Sequence, residues 1–141
     1  MIRHVAGFGE VVEDVDEAAA FYRSLGLEVK VENGYGVVEV PGVMHFGLWA
    51  RKDAAESTFG TPDAADRVPL GFSLGLEVDS VDGMTGVLGD VVLGEPRDEP
   101  WGQRVLRFRS PSGALAEVSE TSWARELETN VSAKANEPAT S

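Results

Sequence analysis

The feature that most constrains this chain is a five-residue repeat. Val12-Glu13-Asp14-Val15-Asp16 and Val78-Asp79-Ser80-Val81-Asp82 both read V-x-x-V-D. Each copy stands where a strand pattern gives way to a helix pattern, and each is followed by further strand patterns. A short repeat with the same element order on both sides points to duplication of one supersecondary unit. The expected product is an α+β domain of two βαβββ modules. Module one covers about residues 1–50, a connecting segment 51–70 and module two about 71–120.

Local signals fill in the modules. Residues 5–12 alternate as a strand. Asp14 is placed to cap a helix, with Glu17 three residues on, where it can reach back to the cap N–H. Val15, Ala18, Ala19, Tyr22 and Leu25 then recur at helical spacing, and Gly26 stops the run. Leu27 to Val31, Tyr35 to Val40 and Val43 to Trp49 read as strands, the first two joined by an Asn33-Gly34 hairpin turn. Residues 51–70 are polar, with Gly60 and two prolines, and read as a connecting loop or lid. Leu70 to Val78 is a strand. Val81, Met84 and Leu88 mark a second helix, weakened by Gly83 and Gly86 at roughly 1 kcal/mol each against alanine. Short strands are expected near 90–93, 103–109 and 114–119. The domain is expected to close at about residue 122, leaving 123–141 as a partly disordered tail anchored by Trp123 and Leu127.

Composition excludes several function classes. The 141 residues are ample for one core, and 43% of them are apolar. There is no cysteine, so disulfides and thiolate metal sites are ruled out and a reducing, cytoplasmic setting is expected. No stretch approaches the ~20 apolar residues of a membrane span. The net charge of −12 repels phosphate backbones. The alternating Arg104, Arg107 and Arg109 are too few to reverse that, so neither nucleic acid nor membrane is an expected partner.

Three segments, taken together, resemble the vicinal-oxygen-chelate superfamily, the glyoxalase, bleomycin-resistance and extradiol-dioxygenase group. The first is Val11-Val12-Glu13-Asp14-Val15-Asp16 running into Ala20-Phe21-Tyr22-Arg23-Ser24-Leu25-Gly26-Leu27. The second is Gly75-Leu76-Glu77-Val78-Asp79-Ser80-Val81-Asp82. The third is Pro100-Trp101-Gly102-Gln103-Arg104, followed by Phe108-Arg109-Ser110-Pro111-Ser112-Gly113 and Glu117. Ser110 and Ser112 stand where the family usually has acids. The resemblance implies a curled, cup-shaped mixed sheet with helices outside, and a homodimer. In the metalloenzymes of the group, four side chains on the cup wall hold a divalent ion.

Counting from the motifs puts Gly7, Gly47, Ser73 and Glu117 at the four implied ligand positions. Only Glu117 can ligate, so no cofactor is expected, although a divalent metal at a displaced site remains an alternative. His4 would enter that alternative if the first strand carried an insertion; otherwise it is a surface histidine. His45 points into the cup if Gly47 does, and either joins Glu117 at a displaced site or hydrogen-bonds in a polar pocket. Glu10 falls toward the helix layer by alternation. Either it reaches the sheet edge, or a bulge turns it into the cup as an acid or base.

The expected ligand site therefore combines Trp49, Trp101 and Phe59 as flat walls with His45, Arg107, Glu117 and Ser73 as polar contacts. Aromatic walls with few polar groups suit a small-molecule pocket. The leading expectation is a metal-free protein of bleomycin-resistance type that sequesters an aromatic or cationic natural product, with antibiotic resistance as its use. The alternative is a lyase, isomerase or dioxygenase-like enzyme in which Glu117, His45 and Glu10 are the candidate catalytic residues.

Overall fold

The computed structural model describes residues 1–42 and 44–121. The expected tail, with Trp123 and Leu127, lies outside the described residues. Module one runs β1 (Ile2–Val12), α1 (Val15–Ser24), β2 (Glu28–Glu32), β3 (Tyr35–Glu39) and β4 (His45–Ala50). Helix α2 (Arg51–Phe59) and a 3-10 turn at Pro62–Arg67 follow. Module two runs β5 (Gly71–Val78), α3 (Val81–Leu88), β6 (Arg97–Asp98), β7 (Gln103–Arg109) and β8 (Leu115–Thr121).

The eight strands form one curled sheet in the order β2-β3-β4-β1-β5-β8-β7-β6. In each module the first strand lies parallel to the last, β1 on β4 and β5 on β8. The modules join where β1 and β5 run antiparallel. That arrangement carries an approximate two-fold relation between the halves.

The V-x-x-V-D repeat has a mechanical meaning at both junctions. Its third residue caps the helix: Asp14 Oδ1 accepts from Glu17 N–H at 3.1 Å, and Ser80 Oγ accepts from Gly83 N–H at 3.1 Å. Its fourth residue, Val15 or Val81, is buried beneath the first turn. Its last aspartate sits in that turn, where the N-terminal end of the helix dipole favours negative charge. Asn33 and Gly34 both take positive φ, as the tight β2–β3 hairpin requires.

Two clusters pack on the convex side. Val15 and Ala19 of α1 meet Val29, Val38, Leu48 and Ala50. Val81 of α3 meets Val78, Leu106 and Val118. A third cluster lies on the opposite, concave face. There Ala54 and Ala55 of α2 pack with Val11, Val68 and Leu115, flanked by Trp49 and Phe59.

That third cluster corrects the reading of 51–70 as a polar loop or lid. The segment is helical, and Ala54, Ala55, Ser57 and Thr58 are buried. It is built from good helix formers and stopped by Gly60 in the left-handed region. Its small buried side chains let the helix lie close to the sheet. The strand expected near 90–93 is also different: Gly89–Val91 is a 3-10 turn, and Val92 makes a single bridge to Phe108. Among the described residues no helix is long and apolar enough to cross a membrane.

Candidate ligand site on the concave face

Strand alternation sorts the side chains by face. Phe46, Leu48 and Ala50 pack toward α1, so His45, Gly47 and Trp49 point into the cup. Leu106 and Phe108 pack toward α3, which sends Val105 and Arg107 the other way. Strand pairing then places the concave residues in rows. Gly7 is level with His45 on β4 and with Gly75 on β5, Gly75 with Glu117 on β8, and Glu117 with Arg107 on β7. The row His45–Gly7–Gly75–Glu117–Arg107 therefore crosses both modules. Gly47, Gly9 and Ser73 form the next row.

Module one contributes a ring pair at one end of the row. Tyr35 Oη lies 2.7 Å from His45 Nε2, with the ring planes within 2° of parallel. Burial, reinforced by the charge of Glu117, pushes the Tyr35 pKa up to about 12. Desolvation lowers that of His45. At neutral pH the phenol therefore keeps its proton and the imidazole is neutral, so one hydrogen bond joins them, its direction set by the imidazole tautomer. Gly47 is what makes this possible, because a Cβ there would overlap the Tyr35 phenol. Tyr35 was not among the residues expected at the site. Its signal in the sequence is faint: it follows the Asn33-Gly34 turn, and its face is set by pairing with Trp49.

Module two contributes charge. Arg107 Nη1 donates to Glu99 Oε1 and to the Ser57 carbonyl, both at 3.0 Å. Ser57 Oγ donates to the same Glu99 oxygen at 2.5 Å. Both side chains of the Arg107–Glu99 pair are only 4% exposed. Arg107 Nε lies 3.3 Å from Glu117 Oε2, close enough for an ion pair but off the line of a hydrogen bond. The guanidinium also stands over the Trp49 ring at 5.1 Å, a cation–π distance. Burial raises the Glu117 pKa, and the neighbouring Arg107 opposes the shift. Glu99 was also missed from sequence, since its loop position gave no strand register to count from.

The remaining expected residues separate. Ser73 is on the concave side, its Oγ against Gly9. Trp101 is half exposed in the β6–β7 turn, its indole N–H donated to Gln103 Oε1. Gln103 stands four pairing steps along β7 from Arg107, so Trp101 does not meet Trp49. Phe59 packs beneath α2 with Arg67 over its ring. Of the two alternatives for Glu10, the helix-facing one describes its place: it accepts from the Tyr22 hydroxyl of α1 at 2.6 Å on the convex side. His4 is level with Glu77, and an irregularity in β1 between Val5 and Gly7 separates it from the Gly7 row.

The donor set does not fit a divalent ion. Two of the five positions in the row are glycines. Glu117 already faces a guanidinium, which would repel a dication, and the Nε2 of His45 is engaged by the Tyr35 hydroxyl. Among the described residues no group of three His, Asp or Glu side chains could hold a metal.

A glyoxalase-like domain family profile matches residues 9–122. Several solved structures share the fold. A glyoxalase/bleomycin resistance protein/dioxygenase superfamily member from Vibrio splendidus 12B01 is 17% identical, covering 85% of this chain and 99% of that one, with a TM-score of 0.57. Methylmalonyl-CoA epimerase from Mycobacterium tuberculosis is 20% identical, covering 89% and 93%, with a TM-score of 0.53. An extradiol ring-cleaving dioxygenase from B. fuscum is 12% identical, covering 85% of this chain but 34% of its own, with a TM-score of 0.50. No curated protein matches the sequence. At these identities the likeness is one of fold.

Proposed function

The chain belongs to the glyoxalase-like domain family of the vicinal-oxygen-chelate superfamily, and from that premise we propose that it is a metal-independent small-molecule binding protein. The observation that carries this reading is the concave row itself. At Gly75 the strand leaves backbone on which a flat molecule can lie, while Gly7 beside it is buried against the His45 backbone. The Tyr35–His45 pair and Glu117, backed by the buried Arg107, offer oriented polar contacts on either side. Trp49 supplies the apolar wall. Such a surface suits the sequestration of a natural product, aromatic or cationic, as expected from the sequence.

Tryptophan fluorescence tests the proposal. Titration with aromatic antibiotics is expected to give a saturable change that disappears in Trp49→Phe and persists in Trp101→Phe. A response that survives in Trp49→Phe would move binding away from this row. No saturable response at all would count against sequestration.

A second reading, a lyase or isomerase working by acid/base chemistry, is favoured by the Tyr35–His45 hydrogen bond. A phenol can hand its proton to a bound oxygen or carbon, and an imidazole in its Nε2–H form can replace that proton while Nδ1 takes one up from water. Deuterium uptake from heavy water into small carbon acids, lost in Tyr35→Phe, would support catalysis. Failure of every carbon acid to exchange would leave binding as the better account.

A further inference from the structure

The polar groups of the concave row do not balance in charge. One guanidinium, Arg107, serves two carboxylates. Glu99 has the better share, with a hydrogen bond from Nη1, another from Ser57 Oγ, and almost complete burial. Its loop is held by the Glu99 N–H bond to the Gln103 carbonyl at 2.7 Å. Glu117 has the poorer share, an ion-pair contact at 3.3 Å with hydrogen-bond geometry unmet. With both carboxylates ionised, the cluster keeps one negative charge uncompensated.

The less compensated carboxylate is the one that meets the cup; burial there favours its neutral form, and Arg107 beside it, like a bound cation, favours the charged one. Glu117 keeps 27% exposure, whereas Glu99 keeps 4%. Further along β5 the buried Glu77 carboxylate accepts from Ser119 Oγ and Thr121 N–H, away from the open side of the cup. The groups nearest Glu117 on that side, the Tyr35 phenol, the His45 imidazole, the Ser73 hydroxyl and the Trp49 ring, are neutral at pH 7. An anion placed there would face Glu117 and a chain of net charge −12. A divalent metal would face Arg107 with too few donors. A compact organic cation meets neither obstacle. It can donate N–H bonds to the free edge of Glu117 or stack as a quaternary head against Tyr35, and it completes the charge that Arg107 leaves open.

We propose that the ligand of this cup carries an ammonium-type cation beside a flat apolar group, with the cation seated on Glu117 and the flat group lying over Gly75 against Tyr35. This deepens the binding reading above and rests on it. A charge-assisted contact in a half-buried site is expected to favour the cation over a neutral molecule of the same shape by about tenfold or more.

The test uses the full chain, benzylammonium, benzyl alcohol and benzoate as probes, and calorimetry or chemical-shift titration as readout. The expected order is benzylammonium tightest, benzyl alcohol weaker by about tenfold or more, and benzoate weakest. Glu117→Gln is expected to equalise the first two while keeping the affinity for benzyl alcohol. Equal binding of benzylammonium and benzyl alcohol by the unmodified chain overturns the charge assignment and leaves the cup as a binding site. A preference that survives in a folded Glu117→Gln chain overturns Glu117 as its seat. Failure of all three probes to perturb concave residues overturns the inference together with the reading beneath it. The comparison of probes on the unmodified chain stands even if the variant does not fold.

Discussion

The two modules share a scaffold and divide the chemistry. Module one is the better-built half. Its helix α1 has ten residues, an Asp14 cap and no internal glycine, and its hairpin joins two five-residue strands. Module two has an eight-residue helix with Gly83 and Gly86 inside it, and β6 is two residues long. Yet the charged groups of the row, Glu99, Arg107 and Glu117, all come from module two. Module one supplies uncharged Tyr35, His45 and Trp49. Duplication gave each half an equivalent place in the row, His45 on β4 and Glu117 on β8. The halves then diverged there, one keeping a neutral hydrogen-bonded ring pair and the other an unbalanced ion cluster.

The largest test of this division removes the central partner of each half. Arg107→Ala strands two carboxylates, one of them almost fully buried, and frees the Ser57 carbonyl. Breaking a buried pair in this way costs about 3–5 kcal/mol. A thermal midpoint lower by roughly 10 °C is expected. His45→Ala removes one hydrogen bond at an exposed position and should cost about 1 kcal/mol or less. Equal losses in thermal unfolding would erase the distinction between the halves.

The glycines give the next largest contrast. Gly47→Ala drives a methyl into Tyr35, whose phenol must move away from His45. The overpacking cost is about 1–3 kcal/mol. Gly75→Ala on the module-two side meets only Glu117 at 3.5 Å and Ala6 at 3.8 Å, ordinary contact distances, and should be close to neutral in denaturant melts. A Tyr35→Ala background should remove most of the Gly47→Ala penalty, because the clash partner is gone. A penalty that persists in that background would show that Gly47 is required for some other reason.

The helices supply a smaller contrast of opposite sign. Asp14→Ala removes the cap of α1 and should lower stability by about 1 kcal/mol. Gly86→Ala in α3 places its methyl in open space and should raise stability by about 0.5–1 kcal/mol. If Gly86→Ala destabilises, the weakness assigned to α3 is misplaced.

What could be read from sequence follows from where the information lies. The repeat was legible because one short string encodes a strand end, a cap, a buried anchor and an acidic first turn. Helix α2 was not legible, because its buried face is Ala54, Ala55, Ser57 and Thr58, which carry no large apolar periodicity. Counting placed Gly47 and Ser73 as ligand positions, but strand pairing sets the row, and it brings His45 and Gly75 level with Gly7 instead. Tyr35 was hidden for a related reason: its role depends on a missing side chain on the neighbouring strand. Glu99 lies on a loop, and its tie to Arg107 is made by a hairpin that counting along one strand does not reveal.

The smallest effect tests whether the two halves are coupled at all. The chain has two tyrosines, and both have pKa values raised to about 12. Burial is the largest cause for each, but the second causes differ. Tyr22 is raised further by its hydrogen bond to Glu10, a partner within module one. Tyr35 is raised further by the charge of Glu117, which belongs to module two. Tyrosinate absorbance should therefore stay low through pH 10 and rise toward 12. Both folded values lie above the unfolded value of 10, so the folded chain holds these protons more tightly. Their contribution to stability is complete below pH 10 and is lost as the pH rises toward 12. Glu10→Gln should lower the Tyr22 midpoint and leave Tyr35 unchanged. Glu117→Gln should lower the Tyr35 midpoint alone, and only slightly, because burial remains. If Glu117→Gln leaves both midpoints in place, the charge of module two does not reach the ring pair of module one, and the row is two sites side by side instead of one.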